Sequence, residues 1–299
     1  MRSIPILLLT FNRPDTTRIV FESIRKTKPT KLYIAQDGPR NKEDIVHIEE
    51  VRNIFSIDRE CNIQYLMRER NLWCLEAVTQ AIDRFFSYEE FGIILEDDCM
   101  MWEWFPLFCS SMDDLYRWEW RIGTISWSNY IRSSRQSDWD YFFSSHHPLL
   151  WWWATWRDRW QYYSNSVELI DQNRPSSIKR YTQWWYWDSD RYATLLNRQL
   201  LTIVPSINFI ANIWHIGIHN QRAGSFHDLP IGILPDTFPI FHKKSLTINK
   251  KYDKWMESFI LKLYLYAKIE ILLKKIWLYR VVHRIFLCFI TLLAKTWIR

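Results

Sequence analysis

Three adjacent acids, Glu96-Asp97-Asp98, directly follow the apolar run 91–95. Adjacent carboxylates repel one another, so the cluster is unfavourable unless a cation or hydrogen-bond donors compensate it. A divalent metal that bridges a carboxylate and a diphosphate would supply this compensation, and oxygen ligands suit Mg²⁺ or Mn²⁺. A solvated turn at a strand end explains the acids about as well, and both interpretations stay open here.

Two further polar turns, Thr10-Phe11-Asn12-Arg13-Pro14 and Gln36-Asp37-Gly38-Pro39-Arg40, follow the first two apolar runs. Asp37 could accept hydrogen bonds from a base or a ribose, and Arg13 or Arg40 could face phosphates. The first turn lacks the GxGxxG pattern of dinucleotide-binding proteins. Taken singly, each motif is also compatible with an ordinary turn.

The elements that must position these residues follow an alternating pattern. Short apolar runs alternate with segments of helical spacing over the first hundred residues, which predicts βαβ units and a mostly parallel sheet. Polar residues at the carboxyl ends of such strands share one edge, where open α/β sheets bind ligands. The predicted strands are 6–10, 32–36, 63–67, 92–95, 122–126 and 201–204, and the predicted helices are 15–26, 43–55, 76–86, 104–117, 154–163 and 185–197.

Six motifs occur in a characteristic order: Leu9-Thr10-Phe11-Asn12-Arg13-Pro14, Asp37-Gly38-Pro39-Arg40, Arg70-Asn71-Leu72, Glu96-Asp97-Asp98, Trp153-Ala154-Thr155-Trp156-Arg157 and Trp187-Asp188. In combination they resemble bacterial sugar transferases of the nucleotide-diphospho-sugar transferase superfamily, which have the GT-A fold. They are more distantly similar to the eukaryotic N-acetylglucosaminyltransferase that initiates complex N-glycans. The resemblance covers roughly residues 4–245.

The resemblance implies an α/β fold of the GT-A type, with a mostly parallel central sheet flanked by helices. It implies an inverting, metal-dependent hexosyl- or N-acetylhexosaminyltransferase of surface polysaccharide or glycan biosynthesis. The donor would be a nucleotide-diphospho-sugar, and the acceptor a glycan, a lipid-linked glycan or a protein. The implied roles are nucleoside contact for Thr10, Asn12 and Asp37, ribose and base contact for Glu96 and Asp97, other substrate contacts for Arg13, Arg40 and Asn71, Mn²⁺ or Mg²⁺ binding for Asp98, and general-base catalysis for Asp188.

The net charge of +6 is confined to the end of the chain. Residues 255–299 contain eight Lys or Arg and two Glu, so this segment carries the whole excess. A nucleic-acid-binding domain would spread its charge over the fold, so we expect no nucleic-acid partner. The sequence predicts a transferase domain over 1–245 and a basic amphipathic helical tail over 246–299.

The tail has two interpretations. Its longest uncharged run, 285–294, is too short to cross a bilayer. Cationic amphipathic helices often lie in a membrane interface, which favours peripheral contact through 255–299 over packing against the main domain. Five cysteines without a CxxC pair and no visible signal peptide predict a cytoplasmic location, at the inner face of the membrane if the tail binds there.

Two alternative functions remain. A nucleotidyltransferase is disfavoured, because residues 9–18 lack a Gly-rich, basic loop for a triphosphate. A catalytically inactive, GT-A-like binding protein is the second alternative, because tryptophans stand where the resembling family has glycines.

The chain has 19 Trp and only 6 Gly, whereas average usage predicts roughly 21 Gly at this length. The resemblance implies Gly at Trp73, Trp127, Trp152 and Trp214. We hypothesise that UGA codons read as glycine in the source lineage were translated as Trp. Genuine Trp is expected at the family-matched positions Trp153, Trp156 and Trp187.

Overall fold

A computed structural model describes residues 3–55, 61–129, 141–145, 153–163, 191, 194–213, 245–258 and 265, and the predicted α/β class is confirmed. The strands are β1 Ile6–Thr10, β2 Lys31–Gln36, β3 Asn62–Met67, β4 Phe91–Glu96, β5 Cys99–Met101, β6 Ile122–Ser126, β7 Tyr141–Ser144, β8 Trp153–Trp156, β9 Leu201–Pro205 and β10 Ile210–Asn212. The helices are α1 Pro14–Lys26, α2 Lys42–Arg52, α3 Trp73–Tyr88, α4 Trp104–Tyr116 and α5 Arg157–Trp160.

Within the described residues, eight strands form one mixed sheet in the order β3-β2-β1-β4-β8-β6-β9-β7. The first four strands pair in parallel. β8 runs antiparallel to both of its neighbours, β4 and β6, while β6 and β9 are parallel. β5 and β10 form a separate antiparallel pair directly after the acid cluster.

Helices cover both faces of the sheet because both faces of its parallel strands are apolar. Successive strand residues point to opposite faces, and in β1 both sets are apolar. Ile6 and Leu8 pack with α1, α2 and α4 in one buried cluster. Leu7 and Leu9 pack with α3 and Trp160 in the other. The parallel half therefore has a core on each side, and only its edges are left for ligands.

The predicted helix over 154–163 is wrong. The chain forms strand β8 up to Trp156, followed by the four-residue helix α5. A short apolar and aromatic run does not distinguish strand from helix by periodicity. Pairing decides it here, because β8 fills the gap between β4 and β6, and the Trp156 Nε1 donates to Asp113 Oδ1 at 2.7 Å.

A buried arginine connects α5 to the sheet. The Arg191 guanidinium donates to Arg159 O at 2.9 Å and to Gly123 O at 3.3 Å. It lies over the rings of Trp153 and Trp160, at 5.3 and 5.5 Å from their centroids. Burial lowers the pKa of Arg191 to about 9. Of the predicted helix 185–197, only residue 191 and residues 194–197 are described, and these are helical.

The first part of the predicted tail packs against the sheet. In 246–258, Tyr252 and Met256 are buried in the same core cluster as β1 and β4. The Asp253 carboxylate accepts hydrogen bonds from the hydroxyls of Ser144 and Ser145, at 2.6 and 2.8 Å. The rest of the tail, apart from Leu265, lies outside the described residues, so membrane contact stays a prediction. Among the described residues, no helix combines the length and apolar character that crossing a membrane requires.

Candidate functional site

The carboxyl ends of β1, β2 and β4 meet at one edge of the sheet. The register pairs Thr10 with Gln36 and Leu9 with Glu96. β1 has β2 on one side and β4 on the other, so the strand order changes direction between β1 and β4. This is a topological switch point, where the connecting loops diverge and leave a crevice.

Arg13 and two of the acids meet at this point. Its Nη2 donates to Asp97 Oδ1, and its Nη1 donates to Asp98 Oδ2 at 3.1 Å. Asp97 also accepts from the Phe11 backbone N–H at 3.2 Å. One guanidinium therefore joins the turn after β1 to the turn after β4. Glu96, the last residue of β4, lies beside this pair and is half-buried.

The pKa shifts of Arg13 and Asp97 follow from burial and from the opposite charges of the groups that they contact. Burial opposes the charge of Arg13, but Asp97, Asp98 and Glu96 together outweigh it and raise the pKa of Arg13. Burial raises the pKa of Asp97 to about 6, against the lowering effect of Arg13. The Asp97 side chain is only 3% exposed, whereas that of Arg13 is 38% exposed. The acid is fixed in place, and the cation is the accessible partner.

Asp98 is the acid that the resemblance assigns to a metal. Its Oδ2 accepts from Arg13, and its Oδ1 accepts from the Cys99 Sγ at 2.8 Å. The described residues contain no group of three or more His, Cys, Asp or Glu arranged to hold a metal ion. A single carboxylate agrees with the usual coordination of Mg²⁺, which takes one or two carboxylates and completes its coordination with substrate phosphates and water. It does not agree with a metal site in which the protein supplies every ligand.

Asn12 and Arg40 converge on a residue that the sequence did not single out, Asp44. Asn12 Nδ2 donates to Asp44 Oδ1 at 2.6 Å, and the Arg40 guanidinium donates to both Asp44 oxygens at 2.8 and 2.9 Å. These Arg40 hydrogen bonds hold the pKa of Asp44 well below its usual value, although burial opposes the shift. The guanidinium also lies 4.8 Å from the Phe11 ring centroid. Arg40 is therefore neutralised within the protein. The available signal was the four-residue separation of Arg40, which precedes α2, and Asp44 in its first turn.

Asp37 also binds the protein itself. Its carboxylate accepts from the backbone N–H groups of Gly38 and Leu72, at 2.9 and 3.0 Å, and from Asn71 Nδ2 at 2.9 Å. A Cβ on Gly38 would lie 2.3 Å from the backbone carbon of Arg70, so only glycine allows this approach. The motifs 37–40 and 70–72 thus form one unit.

Buried hydrogen bonds tie the turn after β1 to β2. The Thr10 hydroxyl donates to Ala35 O at 3.2 Å, and the Asp37 N–H donates to Thr10 O at 3.3 Å. Gln36, which the sequence analysis placed in a motif without assigning it a role, donates its Nε2 to Phe11 O at 3.0 Å. These contacts fix the backbone from which Asn12 and Arg13 extend. Amide donors buried at a strand end have no distinctive spacing, which is why Gln36 gave no signal.

Trp73 lies next to the unit formed by the motifs 37–40 and 70–72. It begins α3, directly after Leu72, and its backbone N–H donates to Asn71 Oδ1 at 3.1 Å. Its φ of 65° lies in the left-handed region, and its side chain is exposed, with 71% relative accessibility. A positive φ is typical of a glycine position, and the exposed indole makes few contacts that would require tryptophan here. Trp127 differs, because it is only 1% exposed and packs in the core.

The structure thus brings together nine of the predicted site residues: Thr10, Asn12, Arg13, Asp37, Arg40, Asn71, Glu96, Asp97 and Asp98. The predicted base, Asp188, lies outside the described residues, as do Trp152, Trp187 and Trp214.

Comparisons with known proteins assign this chain to no family. No protein-family model matches this chain, and no curated protein matches it significantly.

Proposed function

We propose that this protein is a GT-A glycosyltransferase that moves a sugar from a nucleoside-diphosphate donor to a glycan, lipid-linked or protein acceptor. One observation carries the proposal: a guanidinium and a pair of buried carboxylates meet at the switch point between β1 and β4. A diphosphate needs a forked donor for its oxygens and an acid that can share a divalent cation with it. Here Arg13 supplies the forked donor and Asp98 supplies the acid, and the two side chains are in direct contact.

The sheet gives further support. Four parallel strands, helices on both faces and polar turns at one edge agree with the arrangement that the sequence resemblance implies. Strand β8 reverses direction next to the acid-bearing strand β4, so the parallel, donor-binding half ends there. The second half of the sheet is then free to form the acceptor side.

The residues would divide the work as follows. Arg13, the more exposed partner of its ion pairs, would bind phosphate oxygens. Asp98 would hold Mn²⁺ or Mg²⁺, which neutralises charge that develops on the nucleoside-diphosphate leaving group. Asp37 would act indirectly, because its oxygens already hold the 37–38 and 71–72 turns together. These turns would form the wall of the nucleoside pocket.

The acceptor half of the reaction rests on the resemblance alone. Asp188 would remove the proton from the acceptor hydroxyl as the sugar is displaced with inversion. The hexosyl or N-acetylhexosaminyl group, the base of the donor and the role in surface polysaccharide or glycan biosynthesis are likewise implied by the resemblance.

A donor panel tests the proposal. Purified protein with Mn²⁺ is screened against UDP-, GDP- and dTDP-sugars for thermal stabilisation and for slow donor hydrolysis. We expect one nucleotide class to raise the melting temperature and to be hydrolysed. Stabilisation without hydrolysis or transfer would favour the inactive binding protein, and no stabilisation by any donor would contradict both.

A further inference from the structure

The strongest unassigned feature is the position of the Arg13 guanidinium. It contacts both Asp97 and Asp98, and the Asp98 contact occupies Oδ2 at 3.1 Å. The other Asp98 oxygen accepts from the Cys99 thiol at 2.8 Å. Each oxygen of the proposed metal-binding acid therefore already accepts one hydrogen bond from the protein, and the donor at Oδ2 is a cation.

A free divalent cation would meet two obstacles at Asp98. Beside Oδ2 it would be repelled by the Arg13 guanidinium, and it could take the place of Arg13 only if that side chain moved away. Displacing Arg13 would also take the counter-charge from Asp97, whose side chain is only 3% exposed. A carboxylate out of contact with water is costly without its cation. Metal alone should therefore bind weakly.

A diphosphate removes both obstacles. Its oxygens accept the forked donors of a guanidinium as well as a carboxylate does, so Arg13 can exchange one anion for another. Its negative charge also offsets the repulsion between Arg13 and the metal. The Arg13 side chain is 38% exposed, and its backbone is held by the first turn of α1, where Thr17 N–H donates to Arg13 O at 3.0 Å. The guanidinium can reorient without any change in the backbone.

We propose that Arg13 is an internal counter-cation that closes the Asp98 site to free divalent metal and opens it when a nucleoside diphosphate binds. Metal and diphosphate then bind with positive coupling, and each raises the affinity of the site for the other by the same factor. This inference deepens the proposed function and rests on it for the identity of the diphosphate. Its first consequence, exclusion of the free ion, depends on the protein alone.

The test measures Mn²⁺ binding by electron paramagnetic resonance and calorimetry, first with the metal alone and then with UDP or GDP. The variants are Arg13→Gln, which removes the cation, and Arg13→Lys, which keeps the charge without the fork. Arg18→Gln, an exposed change on the same helix, is the matched control. Circular dichroism and urea titration check that each variant folds.

We expect Arg13→Gln to bind Mn²⁺ alone roughly tenfold more tightly than the wild type. The wild type and Arg18→Gln should gain roughly tenfold in Mn²⁺ affinity on adding the diphosphate, whereas Arg13→Gln should gain less than about threefold. Arg13→Lys should still exclude the free metal but show a smaller gain than the wild type.

Two results would overturn the inference. One is Arg13→Gln binding free Mn²⁺ no more tightly than the wild type. The other is a diphosphate-dependent gain that is unchanged in Arg13→Gln. Failure of the proposed function looks different, because then neither UDP nor GDP binds any variant, while the metal-alone comparison still decides whether Arg13 excludes the ion.

Discussion

Asn71 Nδ2 donates to Asp37 Oδ2 over 2.9 Å, and this hydrogen bond joins the turn after β2 to the turn that precedes α3. Asn71 also donates to Gly38 O at 2.9 Å, so a single amide holds both residues of the Asp37-Gly38 pair. The two motifs are far apart in sequence, yet they form one hydrogen-bonded unit at this edge of the sheet.

The Asp37 carboxylate should therefore be a major source of stability. Asp37→Ala would leave two backbone N–H groups and the Asn71 amide without their acceptor, which we expect to lower the free energy of unfolding by roughly 2–4 kcal/mol. Urea denaturation measures the change. Glu49→Ala, an exposed acid on α2, is the control and should change little. A loss below about 0.5 kcal/mol for Asp37→Ala would mean that the unit is held by other contacts.

Stability should fall in acid because of Asp44. Its pKa is lowered in the folded protein by Arg40, whereas an unfolded Asp titrates near 3.9. A lowered folded pKa gives stability that is present above the unfolded pKa and is lost as pH falls below it towards the folded pKa.

The measurement is the difference in free energy of unfolding between the wild type and Asp44→Asn. We expect the difference to be largest near pH 7 and to shrink steadily below about pH 4. Glu49→Gln should give no such trend, since Glu49 is exposed. A wild-type advantage that stays constant from pH 7 to pH 3 would contradict the assignment.

Asp98→Ala should abolish the Mn²⁺-dependent part of donor binding while the fold survives. Arg13 keeps Asp97 as its partner in this variant, so no cation is left buried alone. Calorimetry of UDP-sugar or GDP-sugar binding with and without Mn²⁺ provides the readout. Glu103→Ala, an exposed acid just after β5, should behave as the wild type. Unchanged binding by Asp98→Ala would rule out this residue as the metal ligand.

Asp188→Asn should keep donor affinity but lower turnover by roughly 10²-fold, as expected for the loss of a general base. The amide has the shape of the carboxylate and cannot take the proton. Turnover and donor affinity are measured on the same preparation, and the anomeric configuration of the product reports inversion. Full activity in Asp188→Asn, with loss in Asp190→Asn, would move the base by two residues.

Trp73→Gly should stabilise the protein. A non-glycine residue at a φ of 65° costs roughly 1–2 kcal/mol, and an exposed indole has few contacts to lose. Trp118→Gly is the matched control, because Trp118 is 89% exposed but lies outside the left-handed region. Equal effects of the two changes on the free energy of unfolding would show that strain at Trp73 is absent.

The codons of the reading frame test the hypothesis that some of the tryptophans are mistranslated glycines. We expect UGA at codon 73 and UGG at codon 156, whose indole donates to the buried Asp113. Codon 127 is the sharpest test, because the hypothesis requires UGA there although Trp127 fills core space, and its removal should cost roughly 3–5 kcal/mol in this structure. UGG at codons 73, 127, 152 and 214 would overturn the hypothesis and strengthen the inactive-protein alternative.

The parallel half was predictable because its signals are local. Each strand from β1 to β4 ends in a polar residue or is followed by one, so the placement of Thr10, Asp37 and Glu96 at one edge followed from the predicted parallel arrangement alone. The partners of these residues could not be predicted. Asp44 looks like a surface acid of α2, and only the packing of α2 against the first turn brings it to Asn12.

Strand β8 shows the opposite case. The run Trp153–Trp156 has no period that separates strand from helix, and its conformation depends on two partners distant in sequence. Long-range pairing, rather than local preference, determines such a segment. The contacts of Arg13 were likewise unpredictable. The same sequence is compatible with an ion pair to one acid and with a guanidinium that bridges two acids.

The late arrival of β8 has a consequence for biosynthesis. On the ribosome, β1 to β4 can assemble as soon as residue 96 has emerged, but the second edge of β4 stays open until Trp153–Trp156 follows. At about 5–20 residues per second the nascent chain exposes this apolar edge for several seconds. Unpaired strand edges are where unfinished chains associate with one another. Slowed translation between codons 97 and 153 should therefore lower the soluble yield more than the same delay after codon 156.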